Sequence, residues 1–255
     1  MIVARSIGEL DLPGHGVVGL VPTMGALHPG HAVLFEAARP DCDVLVASVF
    51  VNPAQFSEPA DLNAYPSDLD RDVAFAAELG VDVVFAPPVE EMYPTGFATW
   101  VEPGGAAEGL ESANRPGHFR GVATVCLKLF NLVRPRIAWF GQKDAQQVAV
   151  VRQLVRDLNV PVEIRVVTTA RDLDGLAFSS RNARLTRDER ELARAIPRAL
   201  ETHDAAAARA VLETAGLEPD YVEIADLDGP TLVVAARIGS TRLIDNVPLA
   251  KGAPS

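Results

Sequence analysis

Hydrophobic and polar positions along the chain change rhythm near residue 169. Before that point short apolar runs alternate with stretches of helical spacing. Val17–Val21 is an apolar run interrupted by Pro22 and reads as a strand, and His31–Ala38 reads as a helix. Val44–Val51 (VLVASVFV) shows no polar alternation, the pattern of a central parallel strand covered on both faces. Asp68–Leu79 is a predicted helix with Ser67 as its cap, Asp70 in the capping-box position and Gly80 at its end. Val81–Phe85 follows as a strand, and Thr99–Val101 as a short one before the Gly-rich loop Pro103–Gly109. Val122, Cys126, Leu129 and Val133 recur at helical spacing and predict a helix over Phe119–Val133, with Cys126 on its core face. Ile137–Phe140, Asp144–Leu158 and Val162–Val167 complete the series as strand, helix and strand.

This β-α repetition predicts an α/β fold with a doubly wound parallel sheet and helices on both faces. Beyond residue 169 the chain reads differently. Thr186–Thr202 and Asp204–Ala215 are Ala-rich helical stretches, and Tyr221–Ala225, Thr231–Ala236 and Thr241–Ile244 are short strands. The expected organisation is a first domain over 1–169 and a smaller α+β domain over 170–255, with the tail Lys251–Ser255 loose. The charges at Arg187, Asp188, Glu189, Arg190, Glu191 and Arg194 read as a solvated helix face.

Composition narrows the function. A chain of 255 residues with 48% hydrophobic and 22% charged residues can bury a sizeable core, which excludes general disorder. A net charge of −11 argues against a nucleic-acid or anionic-membrane binder, while leaving room for a locally basic cleft on an anionic small molecule. Only Lys128, Lys143 and Lys251 are lysines. Cys42 and Cys126 are distant in sequence and suit a reducing compartment. Met1–Leu10 carries charges where a signal peptide needs an apolar segment, and no apolar run is long enough to span a bilayer, so the expectation is a soluble cytoplasmic protein.

Gly14-His-Gly16-Val-Val-Gly19 matches a dinucleotide fingerprint in letters only, because it precedes a strand instead of following one. More informative is Val21-Pro-Thr-Met24-Gly25-Ala26-Leu27-His28-Pro29-Gly30-His31, at the carboxyl end of the first long predicted strand, where doubly wound sheets bind ligands. His28 and His31 are spaced i, i+3 at a helix N-terminus, whose free N–H groups and dipole attract phosphate. The same letters also suit a tight turn with two incidental histidines, and no third ligand is spaced for zinc. Gly141-Gln142-Lys143-Asp144 leaves another strand end. Lys143 can neutralise phosphate and Asp144 can accept from a ribose hydroxyl, or the segment is an ordinary strand–helix turn. Ser179-Ser180-Arg181 offers two hydroxyls and a guanidinium for phosphate, or a polar linker with a cap. Asn52 and Gln55 can make paired neutral hydrogen bonds to a polar substrate. His118 and Arg120 can bind an anion, or merely cap and pair.

Taken in order, V-P-T-M-G-x-L-H-x-G-H, F-V-N-P-x-Q-F, Y-P, M-Y-P, R-P-G-H-F-R-G-V-x-T-V, F-G-x-K-D-x-Q-Q and D-G-L-A-x-S-S-R-N resemble the pantoate–β-alanine ligase family. The match is dense over roughly residues 15–190 and looser at D-Y-x-E and T-R-L-I-D-N. The resemblance implies a Rossmann-like nucleotidyltransferase domain of the H-x-G-H type, a small C-terminal domain that closes over the site, and a homodimer. It implies that ATP and pantoate give pantoyl adenylate with Mg²⁺, and that β-alanine then displaces AMP. Carried over by position, Met24 to His31 would hold ATP, with His31 as proton donor and His28 beside it on the phosphates. Gly141 to Asp144 would also bind ATP, Lys143 on phosphate and Asp144 on ribose. Ala170 would line the adenine pocket, and Phe178, Ser179, Ser180 and Arg181 would form the closing phosphate loop. Gln55 and Gln147 would bind pantoate, and Asn52 would lie near the amine of the second step. No dedicated protein ligand for a metal is expected, because Mg²⁺ arrives with ATP. The chain departs from the family at Ser67, Gln142, Ala145 and Phe178, where Arg, Glu, Tyr and Met are usual, and its helical stretch between Asn182 and Tyr221 is short.

Overall fold

The computed structural model describes residues 1–250; the tail expected to be loose lies outside them. The chain forms two compact units, one of Met1–Phe140 with Gln146–Val167, the other of Gly141–Ala145 with the chain from Thr168 onward. The short Gly141–Ala145 segment thus groups with the second unit, although a single boundary near residue 169 would leave it in the first.

In the first unit the elements are β1 (Ile2–Ala4), β2 (Val18–Thr23), α1 (Pro29–Ala38), β3 (Val44–Val49), α2 (Pro59–Asn63), α3 (Leu69–Glu78), β4 (Val83–Phe85), α4 (Val89–Met92), α5 (Glu111–Asn114), α6 (His118–Val133), β5 (Ile137–Gly141), α7 (Ala145–Asp157) and β6 (Glu163–Val167). Among the described residues they build a six-stranded parallel sheet of order β1-β4-β3-β2-β5-β6, as expected for a doubly wound fold. Successive side chains of each strand leave opposite faces. Leu20, Val46, Val83, Val122 and Phe140 therefore belong to one apolar cluster, while Val21, Leu45, Val84, Phe35 and Trp139 belong to another. Burial on both faces is why β3 shows no polar alternation.

The chain runs outward in one direction through β2, β3 and β4, and then in the other through β5 and β6. The switch point lies between β2 and β5, and the crevice outside their carboxyl ends is where such sheets take ligands. The two strand-end motifs singled out above are the segments that leave β2 and β5. Gly19, the last letter of the false fingerprint, sits inside β2. A Cβ there would come within 2.7 Å of the Trp139 ring and 2.9 Å of the Cys42 sulfur, so packing and not phosphate demands the glycine. Cys126 is buried in the core, and burial pushes its thiol up to about 12.

Two local expectations are corrected. Thr99–Val101 is no strand: the Val101 N–H donates to the Thr124 hydroxyl of α6 (3.0 Å) and no neighbouring strand takes it. Asp68, not Ser67, caps α3 by accepting from the Arg71 N–H (3.1 Å), while Asp70 lies in the first turn, where the helix dipole favours it. The pattern also carries no sign of β1, since three residues are too few to show a period; it pairs with β4 at the sheet edge.

The second unit contains α8 (Arg187–Ala193), α9 (Ala195–Leu200), α10 (Ala205–Thr214), and the antiparallel sheet β7 (Pro219–Asp226), β8 (Pro230–Ile238) and β9 (Thr241–Pro248), an α+β arrangement as expected. Leu212, Leu232, Val234 and Ile196 are among its core residues. The helix expected over Thr186–Thr202 is broken at Arg194. Pro197 has no N–H to offer the Ala193 carbonyl, so the helical ladder cannot run through. Arg190 is also not merely solvated, because it ion-pairs with Asp172 (2.6 Å) and Asp174 (2.8 Å).

Candidate active site

In the first unit the site grows from the turn between β2 and α1. Gly25 has φ +78°, and Ala26 follows at φ +52°, a left-handed conformation that costs an alanine energy. The turn is held by the buried Asp72 of α3, whose carboxylate accepts from the Ala26 N–H (2.8 Å) and the Leu27 N–H (2.7 Å). A Cβ on Gly25 would approach an Asp72 oxygen to 2.7 Å, so the glycine lets the carboxylate reach the backbone.

His28 then caps α1. Its Nδ1 accepts from the Gly30 N–H (3.1 Å), and the His31 Nδ1 accepts from the His28 N–H (3.3 Å), a reciprocal capping box. An Nδ1 that accepts from an amide carries no proton. In both neutral imidazoles the proton therefore resides on Nε2, which makes each Nε2 a donor. The rings lie 4.1 Å apart between centroids at 43°. Backbone geometry has thus oriented two N–H donors at a helix N-terminus, where an anion is already favoured.

Asn52 and Gln55 follow β3. The buried Asn52 amide donates to Gln55 Oε1 (2.9 Å) and the Gly121 carbonyl (3.1 Å), and accepts from the Tyr93 hydroxyl (2.8 Å) and the Ala54 N–H (3.3 Å). Its hydrogen-bonding capacity is thereby used within the protein. Gln55 is left with its Nε2 toward the Met24 sulfur at 3.1 Å, so the first two motifs meet. The Gln55 carbonyl accepts from His118 Nδ1 (2.9 Å) and Arg115 (3.3 Å), and His118 Nε2 lies 3.2 Å from the Arg115 guanidinium. His118 thus seats the Gln55 backbone. Arg120 instead stacks over Trp100 at 4.5 Å. Gln147 is half-buried on the first turn of α7.

In the second unit, Lys143 and Asp144 lie on a one-turn 3₁₀ helix with their charges 3.5 Å apart. The Gln142 side chain is turned onto Asn246 (3.2 Å). The Phe178 N–H donates to the Ala170 carbonyl (3.0 Å), placing those two residues side by side on a narrow hairpin. Ser179 caps the next 3₁₀ turn by accepting from the Arg181 N–H (3.2 Å), and Ser180 opens that turn. Lys143, Ser179, Arg181, Arg242 and Asp245 line one small open pocket. Lys143 and Arg181 bring cations and Ser179 a hydroxyl that suit phosphate, while Arg242 is ion-paired with Asp220 and Asp245 with Arg171.

A family model described as pantoate–β-alanine ligase matches residues 5–248. The pantothenate synthetase of Corynebacterium glutamicum (strain R) is 53% identical over 263 residues, covering 92% of this chain and 94% of its own. The chain belongs to the pantoate–β-alanine ligase family. The crystal structure of the pantothenate synthetase of Thermus thermophilus superposes on this ligase with TM-score 0.90 at 46% identity, covering 97% of this chain and 99% of that one. The enzyme of Francisella tularensis, solved in complex with β,γ-ATP and β-alanine, does so with TM-score 0.88 at 37% identity, covering 97% of each.

Sequence reasoning assigned no role to three supporting residues of this ligase: Asp72, and Tyr93 and Asn246, which it met only as letters of the M-Y-P and T-R-L-I-D-N stretches. Each acts on a segment distant in the chain, so local spacing does not show what it does. Asp72→Asn tests the first. An amide offers one acceptor where the carboxylate offers two, leaving a buried N–H against an NH₂ group. A loss of about 1–3 kcal/mol by denaturant titration is expected, with slower adenylate formation. Unchanged stability and unchanged ATP kinetics would show that the turn needs no anchor.

Proposed function

We propose that this ligase joins pantoate to β-alanine in two steps at the groups described above. In the first, a pantoate carboxylate oxygen attacks the α-phosphorus of ATP and pyrophosphate leaves, giving pantoyl adenylate. In the second, the β-alanine amine attacks the acyl carbon, AMP departs, and the amide of pantothenate is formed. The observation that carries the reading is the pair His28 and His31, whose Nδ1 atoms are engaged by backbone amides so that both Nε2 atoms donate.

His28 and His31 contact phosphate oxygens and strengthen as negative charge shifts toward pyrophosphate, with His31 the proton donor. Met24 to His31 bind the triphosphate through the turn backbone and the α1 N-terminus. Lys143 neutralises the phosphates, Asp144 accepts from the ribose, and Gly141 and Gln142 complete that strand end. Ala170 borders the adenine. Phe178, Ser179, Ser180 and Arg181 form the loop that closes on the phosphates. Gln55 and Gln147 hold pantoate through neutral amides, which leave its carboxylate unpaired and nucleophilic. Asn52 keeps Gln55 in place and lies near the second-step amine. Binding both reactants together supplies proximity, and exclusion of water protects the acyl adenylate.

Among the described residues no group of three or more His, Cys, Asp or Glu side chains is placed to hold a metal ion. The cations Lys143 and Arg181 fit an anionic nucleotide that brings its own Mg²⁺. Bound that way, Mg²⁺ would screen the phosphate charge. The reading further takes the enzyme to be a cytoplasmic homodimer; among the described residues no helix is long and apolar enough to cross a membrane.

The test is AMP release from ATP and Mg²⁺, with pantoate alone, with β-alanine alone, and with both. Sustained release only with both, with pantothenate identified by mass, is the expected result. No turnover by folded protein that binds ATP would transfer the activity to another acid and amine.

A further inference from the structure

The second unit contains a buried polar relay that the reaction scheme does not use. The Asn246 side chain on β9 donates one hydrogen of its amide to the Gln142 carbonyl (2.9 Å) and the other to the Lys143 carbonyl (2.8 Å). Its Oδ1 accepts from the Gln142 side chain at 3.2 Å, and the residue is 4% exposed. The Asn246 N–H donates to Asp245 Oδ1 (2.8 Å). Asp245 in turn receives Arg171 in a two-pronged ion pair (2.6 and 3.1 Å), with its side chain 3% exposed. Arg171 bridges to Ala177 across the hairpin whose second strand continues into Ser179. One side of the relay grips the backbone that carries Lys143; the other grips the hairpin that leads to Ser179 and Arg181.

We propose that Asn246, supported by Asp245, is a positioning residue for ATP: it sets where the Lys143 ammonium stands relative to the Ser179–Arg181 loop. The proposal rests on the placement of Lys143 on the phosphates. A lysine stem is flexible and a point charge must be placed well to act in a transition state, so its backbone needs a fixed base. A buried amide that donates to two successive carbonyls of one turn supplies that base, because breaking either bond costs a part-buried acceptor its partner.

The experiment measures pyrophosphate release at varied ATP for Asn246→Asp, Asn246→Ala and Lys143→Ala, and for each Asn246 variant combined with Lys143→Ala. Asn246→Asp keeps the side-chain shape but turns an acceptor toward both carbonyls. It is expected to lower kcat/KM for ATP by roughly tenfold or more, with the KM for β-alanine unchanged. In the Lys143→Ala background the same change should cost less than about threefold, because residues that act through one another do not add. Equal fold-losses in both backgrounds, or normal ATP kinetics in folded Asn246→Asp, would overturn the proposal. So would a failure of both Asn246 variants to fold, which would make the residue structural. Normal ATP kinetics for Lys143→Ala would instead remove the phosphate placement, and the proposal with it. An impaired Lys143→Ala enzyme whose losses multiply would remove the proposal alone.

Discussion

Replacing His31 by alanine is expected to slow adenylate formation by roughly 10²–10³-fold, the usual cost of deleting one donor aimed at developing charge. The expectation follows from the tautomer. His31 Nδ1 is committed to the His28 N–H, so the side chain presents Nε2–H whichever neutral form it would otherwise prefer. Folding should be affected little. The substitution removes one of the two reciprocal caps of α1, and loss of a cap costs about 1 kcal/mol. That corresponds to a Tm shift of about 2–4 °C in a chain of this size. Single-turnover formation of pantoyl adenylate, measured beside a melting curve, separates the two effects. An unchanged rate would take His31 out of the reaction, and a collapsed melting curve would make it primarily structural.

Lys143→Ala should be nearly as damaging, by about 10²-fold in kcat/KM for ATP. The Lys143 side chain is only 17% exposed and lines a cavity shared with Ser179 and Arg181. Its removal withdraws a cation and leaves the Asp144 carboxylate without that cation 3.5 Å away. Both changes work against a polyanion. Steady-state kinetics at varied ATP should show the loss, while the KM for pantoate stays close to that of the parent enzyme. Unaltered ATP kinetics would move the phosphates away from Lys143. Comparison of the two variants is informative in itself: a group that acts only in the transition state lowers kcat, whereas one that also binds the ground state raises KM.

How much of this is legible in the sequence differs from element to element. β3 and α6 are readable because their side-chain pattern reflects what covers them. A strand buried on both faces is uniformly apolar, and a helix against a sheet repeats its apolar positions every three or four residues. Thr99–Val101 misleads for the same reason in reverse. Its residues favour an extended chain, but a strand exists only when a neighbour takes its hydrogen bonds, and here a threonine hydroxyl takes one. The Thr186–Thr202 stretch misleads because the summed helix preference of its neighbours masks one proline.

The candidate site divides along a similar line. His28, His31, Lys143, Ser179 and Arg181 stand out because they sit in short ordered motifs at strand ends, and seven motifs in sequence order point to one family. What the sequence determined alone was the alternation of strands and helices, the family, and the inventory of candidate reacting groups, since each depends on residues close together in the chain. Beyond the local capping box that sets the protonation site of the two imidazoles, whose partners lie only two and three residues apart, tertiary structure decided the internal commitment of Asn52, the anchoring of the β2–α1 turn by Asp72 and the clamping of the Lys143 backbone by Asn246. These depend on hydrogen bonds between a donor and an acceptor up to about a hundred residues apart, such as Asn246 to Lys143, and such partners become neighbours only when the apolar faces on either side of them are packed.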